Sequence, residues 1–337
     1  MFKFGEGASV ATVVKGTLSL ENHLKGIVFT VVYKDKEVDK VLYTDYVSYN
    51  GTSKVILPAK DYYYYSEWQY ESGMKACDGD PDKGRGEAAE YNTLLNVTSN
   101  NTLFAVYAPI EYKITYDLRS GTCNESLFTT YTVESDTIAL PLTYAMVRKY
   151  FVFEAWYVNS VAPENKITEI VKGSHGDITI IANWNIDPAI ELIINDYQTL
   201  KEFAELTHDP YTDFFRTASY VVNVPDAGFD IIDSGLVFDT TGTITINKVT
   251  DDARIRVNNT FTIKNATVIS DMYITFLVNS GNLIFDNANI NVNNTNAASF
   301  ATISKSAAVD TSIELVDTTI TTNAYYALAV NGVNGKV

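Results

Sequence analysis

At 337 residues the chain exceeds what one hydrophobic core usually serves, so two or three domains are expected. Hydrophobic residues make up 46%, with 23 tyrosines but only 8 prolines and 18 glycines, which excludes a disordered or collagen-like chain. The net charge of -16 repels nucleic-acid phosphates and anionic lipid surfaces, and no local basic patch offsets it, so neither is expected as a partner.

The opening MFKFGEGASV has no apolar core of the leader-peptide kind, and no run of about 18 apolar residues follows, so no membrane-spanning helix is predicted. Residues 1–27 read as a lead-in or the end of a preceding module. From residue 28 an order of elements begins that occurs twice. An alternating strand opens it (Phe29, Val31, Tyr33), then come VLYTDYVSYN, a turn at Leu57-Pro58, the aromatic YYYYSEW, a variable loop and the closing NTLFAVY. Residues 111–186 run through the same series: Tyr112, Ile114 and Tyr116, then LFTTYTVES, Leu140-Pro141, YFVFEAW, a loop and DITIIANW. Aligning Trp68 with Trp156 puts Tyr62 on Tyr150 and Tyr65 on Phe153. Period-two alternation predicts sheets with one buried face. In YFVFEAW both faces carry aromatics, so the strand is either covered on both sides or shifted by a bulge.

These landmarks resemble the Listeria–Bacteroides repeat, the internalin-type B repeat of bacterial surface proteins. The second segment carries the family's pattern at Tyr112, Ile114, Tyr116, Gly121, Leu140, Pro141, Tyr150, Phe153, Trp156, Tyr157, Gly176, Asp177, Ile180, Ala182 and Trp184. It departs at Ala155, where the family usually has Gly, and at Lys149. The first segment, 28–110, is more diverged, with Glu67 before Trp68 and Tyr107 closing it. The resemblance implies a small β-grasp-like fold and a spacer or adhesive role at a cell surface, without catalysis. It makes most of the tyrosines core residues, with Tyr63 or Tyr64 as candidates to face outward and stack on a sugar ring.

After Trp184 the pattern changes. Residues 196–207 predict a helix, with Asn195 or Asp196 as N-cap and Leu200, Phe203 and Ala204 on one face. From about residue 235 short β runs align with one another: Phe261, Leu283 and Ile313; Ile263, Phe285 and Leu315; Val268, Ile290 and Ile320; and a further rung through Val278, Ile303 and Val330. Asn265, Asn287 and Asp317 fall at the turn between runs. Coils of about 20 to 30 residues with inward aliphatics and stacked Asn are the mark of a parallel β-helix, and residues 187–337 resemble right-handed, pectate-lyase-like β-helix domains. The helix is read as part of an N-terminal cap. The ending, NAYYALAVNGVNGKV, stops in strand-like sequence, so a monomeric piece of a longer protein, cut at one or both ends, is expected. The predicted fold is therefore mainly β: two β-grasp-like repeats and a truncated parallel β-helix with a helical cap.

No residue is expected to catalyse, bind a cofactor or ligate a metal. The histidines are His23, His175 and His208; Ser174 beside His175 has no third group to form a triad, and His208 follows a helix where a cation is ordinary capping. Asp78, Asp80 and Asp82 alternate as in a calcium loop, but Gly84 falls one position late, Pro81 intrudes and the closing acid is displaced to Glu90, so a solvated insertion is expected. Cys77 and Cys123 have no metal spacing, and a disulfide is open but not indicated. Asn-Xaa-Ser/Thr triplets at Asn96, Asn124 and Asn265 matter only in a secretory eukaryotic host. After residue 257 there is neither His nor Arg, only Lys264, Lys305 and Lys336. The expectation is an extracellular or cell-surface adhesin-like protein whose partners are host or bacterial glycans or proteins. The alternative is a polysaccharide lyase or glycoside hydrolase whose catalytic coils lie beyond Val337; a phage or secreted fibre ranks third.

Overall fold

A computed structural model describes residues 26–57, 60–79, 89–248, 250, 252–295, 298–308 and 310–331. The fold is mainly β, with parallel sheets. One unit is formed by Met1–Lys149 with Phe153–Trp184, the other by Tyr150–Val152 with Asn185–Val337.

The first unit contains two five-stranded sheets with the same strand order. One runs Val41–Ser48, Val28–Asp35, Asn101–Pro109, Tyr63–Tyr70, Lys75–Asp78; the other runs Thr130–Tyr131, Tyr112–Asp117, Ile178–Ile186, Phe151–Val158, Lys166–Ile167. In each, the opening strand pairs antiparallel with the second strand and parallel with the closing one. Alternation turns Val31 and Tyr33 inward, where they pack with Trp68, Leu103 and Ala105. The Tyr33 ring meets Trp68 edge-on at 5.2 Å and Tyr65 stacks on Trp68 at 5.5 Å. A buried phenol needs a partner, and Tyr33 Oη has Ser53 Oγ at 2.6 Å, with Ser53 donating onward to Asp45 at 2.7 Å.

The second sheet explains its landmark residues physically. Most buried polar side-chain atoms are hydrogen-bonded, and two of the indoles are: Trp156 donates to the Pro141 carbonyl at 2.8 Å and Trp184 to the Leu118 carbonyl at 3.0 Å. A Cβ on Gly121 would sit 2.1 Å from Trp184 Cζ2, so only glycine fits under that ring. Asp177 accepts from the Lys113 amide at 2.8 Å, and the Tyr131 hydroxyl donates to the Gly176 carbonyl at 2.6 Å. Ala155, Trp156 and Tyr157 are buried in succession, with Ala155 and Tyr157 packed on Ile181, so the aromatic strand is covered on both sides. The stretch LFTTYTVES differs from its expected long strand. Only Thr130–Tyr131 pairs, because Ser135 Oγ accepts from the Thr132 amide at 2.9 Å and turns the chain away.

In the second unit the short strand Ile193–Ile194 leads into the helix Tyr197–Leu206, capped by Asp196, whose carboxylate accepts from the Thr199 amide at 2.8 Å. Its buried Phe203 lies 5.5 Å from the Tyr220 ring. Beyond it the chain visits three parallel sheets in fixed rotation. The first holds Tyr220–Val224, Thr243–Lys248, Thr267–Ser270, Asn289–Val292 and Thr319–Thr322, with Ile193–Ile194 from before the helix pairing on Tyr220–Val224; the second holds Phe229–Ile231, Ile255–Val257, Ile274–Val278, Ser299–Ile303 and Tyr326–Val330; the third holds Leu236–Asp239, Phe261–Lys264, Asn282–Asp286 and Ser312–Val316. Phe261, Leu283 and Ile313 are register partners, as are Ile263, Phe285 and Leu315, Val268, Ile290 and Ile320, and Val278, Ile303 and Val330. Phe276, Phe285 and Phe300 fill the interior at ring separations of 5.8, 5.5 and 5.4 Å.

Three side-chain amide ladders tie the turns together. Asn223 donates to Asn195 (3.2 Å) and Asn247 to Asn223 (3.3 Å); Asn258 to Asp230 (2.7 Å) and Asn279 to Asn258 (2.9 Å); Asn265 to Asp239 (2.6 Å) and Asn287 to Asn265 (2.9 Å). Every donor comes from the later coil. Asn265, Asn287 and Asp317 have φ of 62, 52 and 47°, left-handed values that asparagine tolerates. Asp317, an acceptor only, cannot continue the donation to Asn287.

Two outcomes follow. Gly121→Ala should destabilise the first unit by about 1–3 kcal/mol through overpacking on Trp184, read by tryptophan fluorescence during urea unfolding. Asp317→Asn should add a donor to the third ladder and raise the second unit's stability by about 0.5–1.5 kcal/mol, read as an increased unfolding midpoint.

Candidate functional site

Four ionisable groups of the second unit, Lys201, Glu205, His208 and Asp233, meet at one cleft. Burial of Leu200, Phe203 and Ala204 turns Lys201 and Glu205 outward, and His208 follows the last turn. Opposite runs the loop Asp233-Ser234-Gly235, whose Gly235 takes φ +73°. Together with Leu236 and Val237 they line a space of about 620 Å³. Lys201 Nζ contacts Asp233 at 2.6 Å and Glu205 at 3.9 Å, and the Asp233 amide donates to the Tyr197 hydroxyl at 3.1 Å. The Lys201 ammonium holds the Asp233 carboxyl below its ordinary range, and Asp233 raises Lys201 in turn. His208 Nδ1 lies 3.1 Å from the Ala204 carbonyl, one helical turn back, as expected for a capping histidine. Lys201 and Asp233 pair with one another, and the Thr207 hydroxyl lies 3.1 Å from His208 Nδ1. The cleft offers hydroxyl-bearing ligands donors and acceptors.

The outward faces of the coils show the same economy. Arg216 and Arg254 lie 3.9 and 3.7 Å from the carboxylates of Asp239 and Asp252, and Arg256 pairs more closely. Its Nε and Nη2 grip Asp230 at 2.9 and 2.8 Å, and its Nη1 donates to the Ala227 carbonyl at 2.8 Å. Lys264 pairs with Asp286 of the next coil at 2.7 Å. These groups bridge coils.

Aromatic groups remain available. Tyr273, Tyr325 and Tyr326 are 45, 80 and 65% exposed. Ile274, Ser299 and Tyr326 share one column of the second sheet, which sets Tyr273 two coils from the Tyr325–Tyr326 pair, about 10 Å away at strand spacing. Among the described residues of the first unit Tyr43, Tyr46, Tyr62 and Tyr144 are the exposed tyrosines. The candidates Tyr63 and Tyr64 are instead half-buried; Tyr63 donates to Glu134 at 2.9 Å and carries Lys60 over its ring at 4.7 Å. Which tyrosines face out depends on strand register, and the run YYYY conceals it.

His175 stacks on Tyr62 at 4.2 Å, and beside it the Ser174 amide donates to Val171. Cys77 and Cys123 are free, and burial together with Asp78 pushes the Cys77 thiol up to about 11. Asp78 pairs with Lys75 at 2.7 Å, whereas Asp80, Pro81, Asp82 and Gly84 lie outside the described residues, as do His23 and Lys336. Among the described residues no cluster of His, Cys, Asp and Glu has metal-holding geometry, and no helix is long and apolar enough to cross a membrane. No protein family, curated protein or solved structure matches the chain.

The Asp230–Arg256 pair carries a pH signature. Hydrogen bonds from Arg256 and Asn258 lower the Asp230 pKa. Its stabilisation is therefore complete above the unfolded value of about 3.9 and is lost as pH falls toward the lower folded value. Asp230→Asn should flatten the acid limb of the second unit's stability below about pH 4, measured by denaturant unfolding across pH.

Proposed function

We propose that this chain is part of an extracellular, adhesin-like surface protein. Residues 28–110 and 111–186 are two copies of a β-grasp-like repeat of the Listeria–Bacteroides kind and serve as spacers. Residues 187–337 form a parallel β-helix with a helical cap and serve as a rigid surface for binding glycans. The observation that carries the reading is the division of labour on the coils: the charged groups Arg256, Asp230, Lys264 and Asp286 bridge neighbouring coils, while Tyr273 and Tyr325, each one residue before the column of Ile274, Ser299 and Tyr326, stay exposed together with Tyr326. Such rings can lie on the apolar faces of sugars, and rungs repeating at about 4.8 Å hold them at fixed separation.

A glycan array probed with the intact chain tests this. Binding to at least one glycan class is expected, with at least a tenfold loss when Tyr273, Tyr325 and Tyr326 are all replaced by alanine. No binding at high protein concentration would remove the adhesive reading. Release of products from pectin or alginate would replace it with the polysaccharide-cleaving alternative.

A further inference from the structure

Tyr62 and Tyr150, aligned by the repeat, share an uncommon backbone: their φ angles are +66 and +70°. Bulky residues rarely occupy this region, and glycine or asparagine does so at lower cost. No other aromatic among the described residues does so. Both carbonyls receive the same hydrogen bond, from the amide three positions past the closing aromatic: Ile110 to Tyr62 at 2.8 Å and Asp187 to Tyr150 at 3.0 Å. The amide bond needs only the backbone, which glycine would supply. That tyrosine stands there twice points to a use for the side chain, since strain persists where surroundings or function demand it.

The use is visible at Tyr62. Its ring lies 4.2 Å from the His175 ring at 33°, and the next residue, Tyr63, donates its hydroxyl to Glu134 at 2.9 Å. Both tyrosines belong to residues 28–110, and both acceptors to residues 111–186. Only Ile110 and Glu111 separate the strands Asn101–Pro109 and Tyr112–Asp117. Tyr150 meets the same two kinds of group inside the second unit, the Phe203 ring at 5.0 Å and the Glu202 carboxylate at 2.6 Å.

We propose that the left-handed tyrosine is an interaction residue which, with Tyr63, clamps residues 28–110 onto the loops 132–136 and 172–176 of the following repeat. The clamp recognises a flat ring and a glutamate. The proposal rests on reading the two segments as copies of one repeat.

Hydrogen exchange of the intact chain, resolved by amide, decides it. Tyr62→Gly relieves backbone strain while deleting the ring, so strain and clamp predict opposite signs. The clamp expects exchange in 132–136 and 172–176 to quicken by about tenfold, with strands 112–117 and 178–186 unchanged. His175→Ala should act alike at 172–176, whereas His175→Phe, which keeps a stacking face, should retain protection. Tyr63→Phe should quicken exchange around Glu134 alone. Unchanged or slower exchange in both loops for Tyr62→Gly overturns the clamp, as does equal loosening by His175→Phe and His175→Ala. Tyr150→Gly tests the repeat reading separately: quickened exchange around Glu202 supports it, and no change there beside a positive result at Tyr62 would leave the clamp standing and remove the equivalence.

Discussion

Parallel strands stacked in register are the constraint on which the second unit depends. A single coil of this length cannot close a core, because its inward side chains have nothing on one side. A second coil at strand spacing supplies that missing surface, but only if its inward residues fall on the same columns. A one-residue slip would turn the buried Ile263 and Phe285 to solvent and bring Thr262 and Ile284 inside. The asparagine ladders oppose such slippage. Each amide donates to the coil before it, and Asn265 and Asn287 also sit in a backbone conformation that few other residues accept, so at those turns a shifted coil would lose its ladder bond and its turn together.

The first unit solves its packing differently. Its sheets are short, and their cores are built around indole rings. Trp68 is gripped by Tyr33 and Tyr65, while Trp156 and Trp184 are anchored by carbonyls from distant turns. A ring of that size with an N–H to satisfy imposes requirements on residues far away in sequence: a free carbonyl at Pro141, another at Leu118, and the missing side chain at Gly121. The recurring landmarks of the two segments are the separate parts of these demands.

Much of this was legible in the sequence, for an identifiable reason. The columns through Phe261 and Val268 could be aligned because stacked coils repeat the same local chemistry at each turn. The helix at 197–206 showed its cap and its buried face. What escaped was set by tertiary partners. The length of the strand around Thr130 depended on a turn stabilised by Ser135. The outward tyrosines were misassigned to Tyr63 and Tyr64, because four consecutive tyrosines carry no alternation from which to read a face. The cleft at Lys201, Asp233 and His208 joins residues from a helix and a loop about 30 positions apart, and no motif announces it.

The register of the coils sets both the spacing of the exposed tyrosines and the coil-bridging ion pairs. Nuclear Overhauser measurements between methyl and aromatic protons test it directly. The account expects cross-peaks from the Phe285 ring to the methyls of both Ile263 and Leu315, and from Leu283 to the Phe261 ring. Cross-peaks from Phe285 to Thr262 in place of Ile263, or none across the coils, would contradict it.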